Sequence, residues 1–157
     1  MKNNDNKFLA EAVKVALTGI EKGGGPFGAV IVRNGELIAG SFNKVVLNND
    51  PTAHAEVLAI REASARMGTH DLSDCTLYTS CEPCPMCLGA IYWAGIKKVF
   101  YSCDKYDAEN SGFSDKQIYD ELALDPSERK ISFVKMDDAE GMEVFRKWDE
   151  LEGKIPY

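Results

Sequence analysis

The chain opens with apolar positions in two different rhythms. Phe8, Leu9, Ala12, Val13, Ala16, Leu17 and Ile20 recur at three- and four-residue steps, which gathers them on one face of an α-helix over residues 8–20. Gly23-Gly24-Gly25 ends that helix. Phe27–Val32 and Glu36–Phe42 then read as strands, with Asn34-Gly35 between them as a strong hairpin signal. Asp50-Pro51 marks the next helix: Asp50 or Thr52 serves as cap, Pro51 suits the first turn, and Gly68 stops it after Met67. Cys75–Ser80 reads as a third strand. Pro83 opens a helix that Gly95 closes, and Lys98–Cys103 follows as a fourth strand. Ser114 with Gln117 makes a capping box for a short helix over 115–122. Ile131–Met136 is expected as a fifth strand, and 138–151 as a last helix.

Strands alternating with helices imply a largely parallel sheet covered on both faces, apart from the antiparallel opening hairpin. The expected fold is therefore α/β, a three-layer α/β/α sandwich with a five-stranded mixed sheet. Ligands in such sheets collect at strand carboxyl ends and helix N-termini. His54, Glu56, Cys84 and Cys87 all fall at helix starts.

The length of 157 residues suits one domain with one core, so 1–157 reads as a single unit, with 153–157 as a tail that Gly153 and Pro156 keep from continuing the last helix. No apolar run approaches the ~20 residues of a bilayer span, and the polar start is unlike a secretory signal; a cytoplasmic setting is expected. The formal charge is −7. Lys and Arg are scattered, whereas a phosphate-gripping surface needs a basic face. A small substrate is expected, with no nucleic-acid or membrane partner.

The five cysteines are Cys75, Cys81, Cys84, Cys87 and Cys103. An odd count, with three of them crowded together, fits reduced thiols and metal ligation better than a disulfide framework. Cys84-Pro85-Met86-Cys87 puts two sulfurs on one side of a helical turn, where the helix N-terminus favours thiolates. His54 adds an imidazole. Two thiolates and one imidazole suit Zn²⁺, one ion per subunit, and leave a fourth coordination position for water. Glu56, two residues from His54, is placed to take a proton from that water, pass it to a ring nitrogen and protonate the departing amine. A structural site with Cys81 as fourth ligand would leave Glu56 without a role; Cys81 reads instead as packing beside the ligands. Cys75 and Cys103 are expected in the core, and His70 at the surface.

His54-Ala55-Glu56 followed by Pro83-Cys84-Pro85-Met86-Cys87 is the pattern that marks zinc nucleobase deaminases. Together with Pro26–Val32, Asn48–Glu56 and Thr79–Ala94, it makes the chain resemble the cytidine-deaminase-like superfamily. Within that group it is most similar to the small bacterial guanine deaminases. The likeness runs through Gly112-Phe113-Ser114-Asp115 to Tyr157.

The resemblance implies hydrolysis of guanine to xanthine and ammonia by a homodimer, with the C-terminal segment laid over an active site, often the partner's. It assigns Asn43 to hydrogen-bond the base, Asp115 to the purine or its leaving amine, and Phe27 and Trp93 to the pocket walls. Ala55 also belongs to its substrate site, with Tyr157 as a cap. A tRNA adenosine deaminase shares the motifs, but such proteins carry basic residues where this chain is acidic, over 104–152. A cytosine or guanosine deaminase remains an alternative. A non-enzymatic zinc module would leave Glu56 and Asn43 without purpose.

Overall fold

A computed structural model describes residues 2–136 and 140–156, with side chains from residue 4 onward. The backbone runs α1 (Lys2–Glu21), β1 (Gly28–Arg33), β2 (Glu36–Phe42), α2 (Val45–Asn48), α3 (Ala55–Met67), β3 (Cys75–Cys81), α4 (Pro85–Trp93), β4 (Lys98–Cys103), α5 (Lys105–Asn110), α6 (Asp115–Leu122), a 3₁₀ turn at Pro126–Glu128, and α7 (Gly141–Glu150). Two compact units result, Met1–Tyr119 and Asp120–Tyr157.

In the first unit β1 is buried along most of its length, and alternate residues serve opposite faces. Val30 and Val32 join Phe8, Ala12 and Tyr78 beneath α1. Ala29 and Ile31 join Ala55, Ala59, Ala63, Leu77 and Ile91 beneath α3 and α4. The three layers expected from the sequence are thus present here. Fully burying a side chain such as Ile31 contributes roughly 1.5–3 kcal/mol, so β1 is the main seam of the unit. At Gly28 a Cβ would lie 2.4 Å from the Ala12 carbonyl oxygen and from the Ala16 nitrogen. Only glycine lets α1 rest on the strand there.

The sheet has four strands in the order β2-β1-β3-β4, not five. Residues 131–136 form no strand, and Ile131, Phe133, Val134 and Met136 are exposed. Apolar and β-branched residues suit a strand, but a strand also needs a neighbouring ladder for its N–H and C=O groups. Nor is the sheet largely parallel: β1 pairs antiparallel with both β2 and β3, and only β3 and β4 run parallel. The helical crossovers do keep β2, β3 and β4 in one direction. The inserted strand is β1, which lies between β2 and β3 and runs against both.

That arrangement decides where chemistry collects. The ends of β2, β3 and β4 and the start of β1 meet at one sheet edge, where Gly28 pairs with Phe42 and Cys81 with Cys103. The hairpin turn has positive φ at Asn34 and Gly35, as its sequence predicts. The helix expected from Asp50 instead begins at Ala55, because the Asp50 carboxylate accepts from the Thr52 N–H (2.8 Å) and hydroxyl (2.7 Å) and closes a turn of its own. Likewise α4 starts two residues after Pro83, with Pro85 in its first turn. Among the unforeseen elements, α5 carries a reciprocal capping box of Asp104 and Asp107.

The second unit holds the end of α6, the 3₁₀ turn and α7. Arg129 ties its connection by donating to the carbonyls of Glu121 (3.1 Å) and Leu124 (3.1 Å). Helix α7 leaves Val144, Phe145 and Trp148 exposed.

Candidate metal centre and cavity

His54 and Cys84 occupy the N-cap positions of α3 and α4, both with extended backbone. Each side chain is thereby thrown out at a helix N-terminus, where free N–H groups and the dipole favour thiolate charge. Cys87 lies one turn into α4. The ligand atoms of His54, Cys84 and Cys87 lie within 4.8 Å of one another. His54 Nδ1 is 3.5 Å from Cys84 Sγ and 3.5 Å from Cys87 Sγ. A tetrahedral Zn²⁺ with Zn–S ~2.3 Å and Zn–N ~2.0 Å separates its sulfur and nitrogen ligands by about 3.5 Å. The donor set fits zinc in both identity and spacing.

Hydrogen bonding from Cys87, followed by that to His54, holds the Cys84 thiol far below its ordinary value, at about 4. The hydrogen bond with Cys84, and then burial, push the Cys87 thiol up. His54 is raised, mainly by its hydrogen bond with Cys84.

Glu56 lies beside these ligands, only 4% exposed. Its carboxylate accepts from Thr79 Oγ1 (3.1 Å) and Cys87 Sγ (3.4 Å). Burial drives its carboxyl above the usual carboxylate range, so the proton is held more readily than in water. Asp115, at the start of α6, is raised as well, by burial first and then by the Cys84 charge.

These groups border a cavity of about 320 Å³ lined by Phe27, Asn43, His54, Glu56, Cys84 and Asp115. Its size lies at the small end of the ~300–1,000 Å³ common for ligand pockets. Phe27 meets Phe113 edge-on, with ring centroids 4.8 Å apart. Sequence reasoning passed over Phe113, Glu82 and the Gly23-Gly24-Gly25 backbone as part of this lining. An aromatic two residues before Asp115 and a Glu inside the cysteine motif were the available signals.

Not every expected residue gathers there. Trp93 ends α4 and is 68% exposed, away from the cavity lining and not in the core. Ala55 is fully buried with Ala59 and Ala63 in the core beneath α3. Tyr157 lies outside the described residues. Cys75 is buried as expected, whereas Cys103 is exposed, because β4 is an edge strand with an open outer face.

A mixed sheet between helices, with one imidazole and two sulfurs at helix starts and a buried carboxyl beside them, defines the zinc-binding deaminase class. The sequence profile of the cytidine and deoxycytidylate deaminase zinc-binding region matches residues 2–103. The chain belongs to that family. It is 50% identical over 155 residues to the guanine deaminase of Bacillus subtilis (strain 168), covering 98% of this chain and 99% of that protein. A crystal structure of guanine deaminase from Bacillus subtilis superimposes with a TM-score of 0.94 at 50% identity, over 97% of this chain and 98% of the other. The tRNA-specific adenosine deaminase of Aquifex aeolicus (strain VF5) is 47% identical over 95 residues, 60% of this chain and 63% of that protein.

Proposed function

We propose that the chain catalyses zinc-dependent hydrolytic deamination of a purine base, with guanine and water giving xanthine and ammonia. The observation that carries this is the three-ligand site beside buried Glu56, opening on one small cavity that Asn43 and Phe27 also line. The likeness to the Bacillus subtilis guanine deaminase runs nearly end to end at 50% identity, while that to the Aquifex aeolicus tRNA deaminase covers 60% of the chain and that to another tRNA-specific adenosine deaminase, over 82%, falls to 36% identity. The formal charge of −7 supports the same preference.

His54, Cys84 and Cys87 are the residues that would hold the ion. Zn²⁺ bound there supplies a Lewis acid that makes water nucleophilic near neutral pH. Glu56 accepts one proton from the attacking water and delivers it to a purine ring nitrogen; it then takes the second from the hydroxyl now on carbon and gives it to the amino group, so that the C–N bond breaks to ammonia as the C=O bond forms. Raised proton affinity suits that traffic, since the carboxyl must both take and give. Asn43 hydrogen-bonds the base, the Phe27–Phe113 pair walls one side of it, and Asp115 stands by the leaving amine. Trp93 and Ala55 are supporting residues in this reading, one on the surface of α4 and one packing α3 beneath Glu56.

A homodimer is the proposed assembly, with residues 153–157 and Tyr157 covering an active site; the exposed apolar face of α7 supports a second copy as partner. Five free cysteines support a reducing, cytoplasmic setting, and among the described residues no helix is long and apolar enough to cross a membrane.

Ultraviolet absorbance of zinc-loaded protein with guanine tests the substrate, with adenosine, cytosine, guanosine and an anticodon stem-loop alongside. Conversion of guanine to xanthine is expected, well ahead of the others. Preferential deamination of the stem-loop would overturn the reading.

A further inference from the structure

The geometry points to Gly25 as a positioning residue whose missing side chain keeps the Asn43 amide in register with the substrate. This rests on the deaminase reading above. Asn43 is buried and held from several directions. Its N–H donates to the Phe27 carbonyl (2.9 Å), and its own carbonyl accepts from the Gly25 N–H (3.2 Å). Its side-chain Oδ1 accepts from the Val45 N–H (3.2 Å). With Oδ1 so engaged, the amide's Nδ2 donors are left to meet an acceptor on a bound base.

Gly25 forms the remaining wall. A Cβ there would lie 3.0 Å from Asn43 Oδ1, 3.1 Å from Cγ and 3.3 Å from Cβ. Those distances are shorter than ordinary van der Waals contact at ~3.5–4.0 Å. Gly25 is not among the residues with positive φ, unlike Gly23. Its backbone is therefore open to any L-residue, and the demand for glycine is spatial, not conformational. The crowding falls on the one side chain of this wall assigned to the base. A methyl at Gly25 must push the Asn43 amide away from the Val45 N–H and off its line toward the ligand.

The decisive experiment is a cycle of Gly25→Ala, Asn43→Ala and the double variant, in zinc-loaded full-length protein. Gly25→Ala should lower kcat/KM for guanine on the order of ten- to a hundredfold, the scale of a sub-ångström to 1 Å misplacement. Zinc content should stay at the wild-type value, and melting temperature should fall only by the few degrees that one lost hydrogen bond costs. In the Asn43→Ala background the added methyl should cost little further activity, since the group it displaces is gone. Equal losses in both backgrounds, or wild-type kinetics for Gly25→Ala, would overturn the assignment. A crystal structure of Gly25→Ala gives a second readout independent of substrate: Oδ1 should have left the Val45 N–H. An unmoved Asn43 would reject the inference even if guanine proved not to be the substrate, whereas wild-type protein inert toward guanine would count against the functional reading alone.

Discussion

At Glu56 a carboxyl is packed almost wholly out of water, between the Thr79 hydroxyl and the Cys87 sulfur. Desolvation disfavours its charged form, which is costly for stability and useful for proton transfer. Glu56→Ala should lower turnover by about 10²–10⁴, the usual share of a general acid–base group. Metal content measured by atomic emission should remain one zinc per chain. Cys84→Ala should instead lose the metal, because one of three ligand atoms is removed. Wild-type turnover in Glu56→Ala would refute the proposed proton path. Asp50 behaves differently. The hydrogen bonds from Thr52 hold its carboxyl below the ordinary value of 3.8. A depressed folded pKa means that the unfolded chain takes up the proton first as pH falls. The stability Asp50 contributes is therefore whole above about pH 4, and lost as pH drops through its lower folded value. Urea titrations of wild type and Asp50→Ala should differ by a constant amount at neutral pH and converge in strong acid.

Among the elements, α6 shows how a short helix is set against the metal loop. Tyr119 donates its hydroxyl to the Pro83 carbonyl at 2.7 Å. Burial, then the Glu82 charge, pushes its phenol to about 12, so it remains a donor throughout the working range. Lys105 Nζ stands 5.2 Å from the Tyr119 ring centroid and 3.5 Å from Glu82 Oε1, joining α5 to the same loop. Tyr119→Phe should cost about 0.5–1.5 kcal/mol in denaturant stability, the net worth of one hydrogen bond. Zinc content should not change, since no ligand is touched. Metal loss in that variant would mean that the clamp shapes the ligands themselves, not only the placement of Asp115 at the start of α6.

For the molecule as a whole, the first unit carries every described ligand and cavity residue, with all of them between Gly23 and Asp115. The proposed role of the last residues is thus separable from the fold of the site. Deleting 153–157 should cut guanine turnover at least tenfold, the scale of removing a group that excludes water from a reaction. Thermal unfolding and zinc binding of the truncated protein should match the full chain. Unchanged kinetics would detach the tail from catalysis. Sedimentation of both forms reports in the same experiment whether a dimer persists without it.

The metal centre was legible from the sequence because its logic is local: a His two residues from a Glu, and two Cys one helical turn apart, each at a helix start. The hairpin, α3 with its Gly68 stop, and β4 were legible for the same reason, since Asn34-Gly35 and the periodicity of short segments act within a few residues. What lay beyond reach depended on partners distant along the chain. Insertion of β1 between β2 and β3 reverses the expected parallel pairing, yet changes nothing in the periodicity of those strands. Residues 131–136 carry the Ile, Phe and Val of a strand but have no ladder to join. Trp93 reads as a core or pocket residue from its apolar helix, and only packing shows that α4 turns it outward. Phe113 enters the cavity because α5 and its turn bring it to Phe27, a contact between residues far apart in the chain. Local sequence determined which groups exist and which turns and caps present them; the tertiary fold decided which of them share a space, because burial and strand pairing are settled between segments and not within them.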